Sequence, residues 1–165
     1  MASKKGVALT MVILVGVVAA SFLVYLLPED TTMKISVSDF EKHLDITKER
    51  VSMETTSVDE SFEKLMEMKT SSDEHIKIAE VSSSQINSLI IELTNSGAAQ
   101  EWYDSYANYI GALKKLNEKI TETIVIANLM SNNSNSNSIN EIIAKIHQLE
   151  TESLDLIKKS DITRP

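Results

Sequence analysis

The order of apolar and polar positions divides the chain in two. Residues 7–27 form an uninterrupted apolar run of 21 residues that carries no charge. Beyond Pro28 the apolar positions become periodic. A seven-residue ladder passes through Val37, Leu44, Val51, Val58, Leu65, Ser72, Ala79, Ile86 and Leu93, with Phe40, Phe62, Met68 and Leu89 beside it. Seven residues are close to two helical turns, so the ladder marks one helix face and a coiled-coil seam, fouled by Thr47, Glu54 and His75. Asn95, Ser96 and Gly97 end it, glycine being the residue that takes the left-handed backbone of a helix stop. A second ladder, in steps of three and four, runs Trp102, Tyr106, Tyr109, Leu113, Leu116, Ile120, Thr123, Ala127 and Met130. A third stripe joins Ile142, Ile146, Leu149 and Leu156, flanked by Ile139, Ile143 and Ile157. Strand alternation is sustained nowhere. The expected fold is all-α: an N-terminal transmembrane helix followed by an antiparallel helical bundle with coiled-coil character.

Three capping boxes, in which a serine and a glutamate three residues on satisfy each other's free N–H groups, set the expected starts: Ser38 with Glu41, Ser71 with Glu74, and Ser138 with Glu141. The middle one decides the architecture. Without a break there, 38–95 is one rod of roughly 87 Å. The cluster Thr70, Ser71, Ser72 and Asp73, together with Ser72 and His75 as poor seam residues, favours a break. Helices are then expected at 38–69, 73–95, 98–130 and 139–159. Residues 131–138 consist only of Ser and Asn and read as a loop. The expected organisation is a cytoplasmic N-terminus at 1–6, a transmembrane signal anchor at 7–27, a linker at 28–37, the bundle at 38–160 and a tail at 161–165.

The apolar run has the length of a membrane span: 21 helical residues cover about 31 Å, the thickness of a hydrocarbon core. Lys4 and Lys5 precede it and Glu29 and Asp30 follow it, which places the N-terminus in the cytoplasm and the bundle outside. Two other readings stay open. Ala19, Ala20 and Ser21 offer a signal-peptide cleavage site, although Phe22 to Leu27 continue the apolar run where a cleaved signal turns polar. Lys4, Lys5, Gly6 and Val7 ahead of the apolar stretch resemble the processing site of archaeal type IV pilin-like proteins. That resemblance implies cleavage after Gly6 and a filament subunit. Met11 stands where bacterial pilins carry a glutamate.

Charge and composition narrow the partners. With Lys4 and Lys5 set aside, the 16 bases become 14 against 24 acids, so the part after residue 27 carries −10. Nucleic acid and anionic lipid both require a basic patch and are excluded as main partners. There is no cysteine, hence no disulfide framework, thiolate metal site or cysteine nucleophile. His43, His75 and His147 form no H-E-x-x-H and read as separate helix-surface residues, with a register-setting polar place in the seam as the alternative for His75. Met66 and Met68 project about 200° apart on a helix and cannot grip one soft metal ion together. The carboxylates Glu60, Glu63 and Glu67 share a face, as do Glu118 and Glu122, and read as solvated faces. Neither a G-x-S-x-G elbow nor a phosphate-binding glycine loop occurs. No enzyme, cofactor or metal is expected.

Two features point to contact with other molecules. Trp102, Tyr103, Tyr106 and Tyr109 place four of the eight aromatic residues within eight positions. Such a cluster is either a core layer or a docking patch, and Trp102, Tyr103 and Tyr106 are the candidate partner-binding residues. Asn132 heads the N-x-S sequon with Ser134 and is the candidate glycosylation site. The function expected is structural: a single-pass protein of the membrane bilayer whose acidic bundle meets a protein partner, or further copies of itself, in an envelope or membrane complex. An extracytoplasmic sensor or ligand-binding bundle is the alternative. It resembles the helical sensor domains of chemoreceptors but lacks a second membrane helix.

Overall fold

The computed structural model describes residues 39–132 and 136–165. All of them belong to one compact unit, 34–165. Four α-helices make it up: α1 (Phe40–Met66), α2 (Ser72–Asn95), α3 (Tyr103–Ser131) and α4 (Ser136–Ile162), with a 3-10 turn at Gln100–Trp102 leading into α3. No strand occurs among the described residues. None of their helices is long and apolar enough to cross a membrane. The apolar run at 7–27, the linker at 28–37 and the Ser38 half of the first capping box lie outside them.

The two-helix alternative for 38–95 is the one realised. Ser71 caps α2, its hydroxyl accepting from the Glu74 N–H at 3.2 Å. Glu74 does not reach back to the cap; its carboxylate accepts from Thr70 Oγ1 at 2.8 Å. Preceding it, α1 closes through a full Schellman turn. The Lys69 N–H donates to Lys64 O at 2.7 Å and the Met68 N–H to Leu65 O at 2.9 Å, with Met68 at φ +60°. That left-handed position ordinarily falls to glycine, as Gly97 does after α2 at φ +62°. At the start of α1, Asp39 and not Ser38 is the cap, accepting from the Lys42 N–H at 3.0 Å.

The seam residues form the core. Leu44, Val51, Val58 and Leu65 of α1 and Ala79, Ile86, Leu89 and Leu93 of α2 are buried against Tyr106, Tyr109, Leu113, Leu116 and Ile120 of α3. The 14-residue step from Leu65 to Ala79 spans the α1–α2 turn, so the ladder continues on two antiparallel helices instead of one rod. The rod is 27 and 24 residues of paired helix, which buries a face that a free rod would leave in water.

Helix α3 is the centre, packed on α1, α2 and α4. Its contact with α4 runs through small residues. Ser105 donates to Ser160 O at 2.8 Å, and both serines are fully buried. Gly111 faces Leu156 so closely that a Cβ there would stand 3.4 Å from its Cδ1. Two sequence boundaries shift as a result. Helix α3 continues to Ser131 and α4 begins at Ser136, so four of the eight residues of the Ser/Asn tract are helical and Ser138 lies inside α4 instead of capping it. The expected tail at 161–165 is also integrated: α4 runs to Ile162, and Arg164 pairs with Asp45 of α1 at 2.7 Å.

Candidate docking site

The aromatic cluster sits at the end of the bundle where α1 and α3 begin and where α2 and α4 end. Phe40 packs on Trp102 with ring centroids 6.5 Å apart, and edge-on against Tyr106 at 5.9 Å. Tyr106 is 2% exposed. Its hydroxyl donates to Phe40 O at 3.0 Å and stands 2.9 Å from His43 Nδ1. Burial, helped by the Asp39 charge, pushes this phenol up to about 12. On the far side of the imidazole, His43 Nε2 lies 3.0 Å from Glu92 Oε1, and Glu92 Oε2 accepts from Arg50 at 3.0 Å. Burial raises the Glu92 carboxyl, but hydrogen bonds from His43 and Arg50 outweigh it and hold the group below its ordinary value. This chain of bonds ties α1, α2 and α3 together beneath the cluster.

The three residues read from the sequence as one patch therefore part company. Tyr106 is a core residue and not an exposed ring, although it lines the hollow beside Tyr103. Its place on the second ladder, four residues after Trp102 and three before the buried Tyr109, turns it inward. Trp102 is half-buried between Phe40 and Tyr106. Tyr103, the first residue of α3, is 65% exposed. Its ring stands at the rim of an open hollow of about 290 Å³ between the end of α2 and the start of α3. Leu93, Ala98, Tyr106, Ala107 and Ile110 line the hollow, with Gly97 at its border. Small residues here keep the two helix ends from filling the space, leaving an apolar depression beside an exposed aromatic ring.

The histidines also depart from the surface reading. Only His147 is exposed. His43 is half-buried in the network above, and His75 is fully buried. His75 Nδ1 lies 3.0 Å from Ser61 Oγ of α1, and Nε2 lies 3.0 Å from Thr123 Oγ1 of α3. The Thr123 hydroxyl donates its proton to Ile120 O at 2.8 Å. Its oxygen therefore accepts from Nε2–H, which leaves Nδ1 to accept from Ser61. The ring is held neutral, and burial lowers its pKa from 6.5. The period-seven pattern marked His75 as a flaw in the seam; it is a three-helix tie.

Asn132 is exposed just past α3, with its Nδ2 donating to Asn128 O at 2.9 Å. The rest of its sequon, Asn133 and Ser134, lies outside the described residues. Met66 and Met68 are exposed at the α1–α2 turn. No family model matches the chain, and comparisons with curated proteins and with solved structures give no match.

Proposed function

We propose that this protein is a single-pass, membrane-anchored interaction protein, held in the bilayer by residues 7–27, with its acidic helical bundle outside the cytoplasm and a non-catalytic role in an envelope or membrane complex. The observation that carries the docking role is Tyr103: an aromatic ring two-thirds exposed beside an apolar hollow. Rigid aromatic rings set by a pocket are what interface hot spots use. The hollow lies at the end of the bundle where α1 starts. The partner is a protein that inserts an apolar side chain beside Tyr103, another copy of this chain being one such protein. The −10 charge beyond the anchor speaks against nucleic acid.

Tyr103→Ala is the test. An exposed ring contributes little to the fold, so stability should change by no more than about 0.5 kcal/mol. A protein that co-purifies with the full chain in mild detergent should be lost from the variant. If it is retained, the docking role of this face is wrong. Trp102→Ala serves less well, because Trp102 packs on Phe40 and Tyr106 and its loss would loosen the bundle end.

A further inference from the structure

A second opening lies on the opposite flank of α3. Helices α1 and α4 both pack on α3 but stand apart from each other. Between them is a cleft of about 300 Å³, floored by Tyr109 and Leu116 of α3. Val51 and Thr55 form the α1 wall, and Leu154 and Ile157 the α4 wall. Charged side chains close it at both ends. At one, Lys48 reaches from α1 to Asp161 of α4, its ammonium 5.5 Å from the centre of the Tyr109 ring. At the other, the buried Lys119 pairs with Asp59 of α1 at 2.9 Å and Glu150 of α4 at 3.3 Å. The ten helical steps of α3 from Tyr109 to Lys119 make the cleft about 15 Å long.

Two of the hydroxyls that border this space bond within their own helices. Thr55 Oγ1 donates to Val51 O at 3.0 Å, and Ser153 Oγ to Glu150 O at 2.7 Å, each on its own helix. Both lysines are paired, and the three carboxylates outnumber them. Among the described residues, the buried side-chain atoms without a hydrogen-bond partner are Asn117 Oδ1 and Arg164 Nε, and neither residue lines the cleft. An anion would meet excess negative charge. A cation would meet two lysines already in place. Most of the surface facing the space is apolar, and apolar cavities of even half this size take up small aromatic molecules.

We propose that the α1–α4 cleft is a binding site for an uncharged, mainly apolar small molecule of about ten non-hydrogen atoms, at the lower limit of ordinary ligand pockets. The site is separate from the Tyr103 hollow, and its ligand sits between the facing walls of α1 and α4.

Indole is a suitable probe: neutral, flat and soluble. The full chain in detergent micelles, carrying ¹³C-labelled methyl groups, is titrated with indole and, in parallel, with benzoate and benzylammonium. The methyls of Val51, Leu116, Leu154 and Ile157 should shift saturably with indole. The two charged analogues should bind at least about tenfold more weakly. Thr55→Trp should fill the cleft and abolish the indole shifts, whereas Tyr103→Ala should leave them intact. Should Thr55→Trp fail to fold, Ser52→Phe at the same wall gives the filled state. Absence of saturable shifts at these four methyls, shifts at Leu93 and Ile110 instead, equal binding of benzoate, or binding that survives both filled variants would overturn the proposal.

Discussion

Acid should loosen this bundle through His75, and by an amount that linkage fixes. The ring is 0% exposed, neutral, and bonded to hydroxyls on two other helices, with Phe62 packed 5.6 Å from its centroid. Its folded pKa lies below the unfolded value of 6.5. At pH 7 neither state holds the proton and the group is silent. As pH falls below 6.5, the unfolded chain takes up a proton that the folded chain refuses, so stability falls with pH until the folded pKa is reached. The slope approaches about 1.4 kcal/mol per pH unit, and the total loss by pH 5 is about 2 kcal/mol at most. The informative variant is His75→Leu with Ser61→Ala. It keeps the volume and removes the hydroxyl that His75→Leu alone would strand, a stranded group costing about 1–3 kcal/mol. Thr123 needs no replacement, since it already donates to Ile120 O. Urea unfolding of residues 31–165, followed by circular dichroism from pH 7.5 to 5, gives both stability curves. The double variant should lose less stability than the wild type over that range, so the two converge or cross. Parallel curves would show that His75 does not set the acid response.

Other consequences follow from single positions. Met68→Gly should raise stability by about 0.5–1 kcal/mol in the same assay, because the Schellman turn holds Met68 at φ +60° where glycine carries no Cβ penalty. Gly111→Ala should be neutral to stabilising, a helix propensity gain of up to about 1 kcal/mol against a Cβ 3.4 Å from Leu156, whereas Gly111→Leu should force α3 and α4 apart and cost about 1–3 kcal/mol. Residues 31–165 expressed alone should give a strongly helical spectrum without metal or oxidant; a β-rich one would refute the fold. For topology, the chain has no native cysteine, so Ser3→Cys and Ser57→Cys are clean reporters. A membrane-impermeant maleimide should label position 57 and not position 3 in intact cells, and the reverse pattern would refute the orientation.

The sequence carried the seams clearly because large apolar residues at fixed spacing have one economical burial. Leu44, Val51, Val58, Leu65, Ala79, Ile86 and Leu93 all lie in the core, as do Tyr109, Leu113 and Ile120. The α4 stripe of Ile146 and Leu149 is buried as read, but the close approach of α3 and α4 at Ser105, Gly111 and Ser160 was less visible, because small residues leave no apolar signal. The polar seam positions were misleading for a related reason. Thr47, Ser61, His75 and Thr123 are buried because each finds a partner: Thr47 within its own helix on His43 O at 2.8 Å, and the others through the imidazole, whose pairing across helices has no signature in the sequence. The aromatic cluster was found as a cluster, yet its division into the buried Tyr106, the wedged Trp102 and the exposed Tyr103 depended on where the 3-10 turn hands over to α3. The Ser/Asn tract was read as loop from composition, although helix continues to Ser131 and resumes at Ser136, its local preferences overridden by the helices it joins.

The docking claim meets its most direct test in photo-crosslinking from position 103 in intact cells. A benzophenone amino acid replaces Tyr103 in one strain and, as a control, Ser84, an exposed residue on α2, in another. Irradiation should give a discrete higher-mass adduct from position 103, absent from position 84, in the membrane fraction. No adduct from position 103, or the same adducts from both positions, would contradict it.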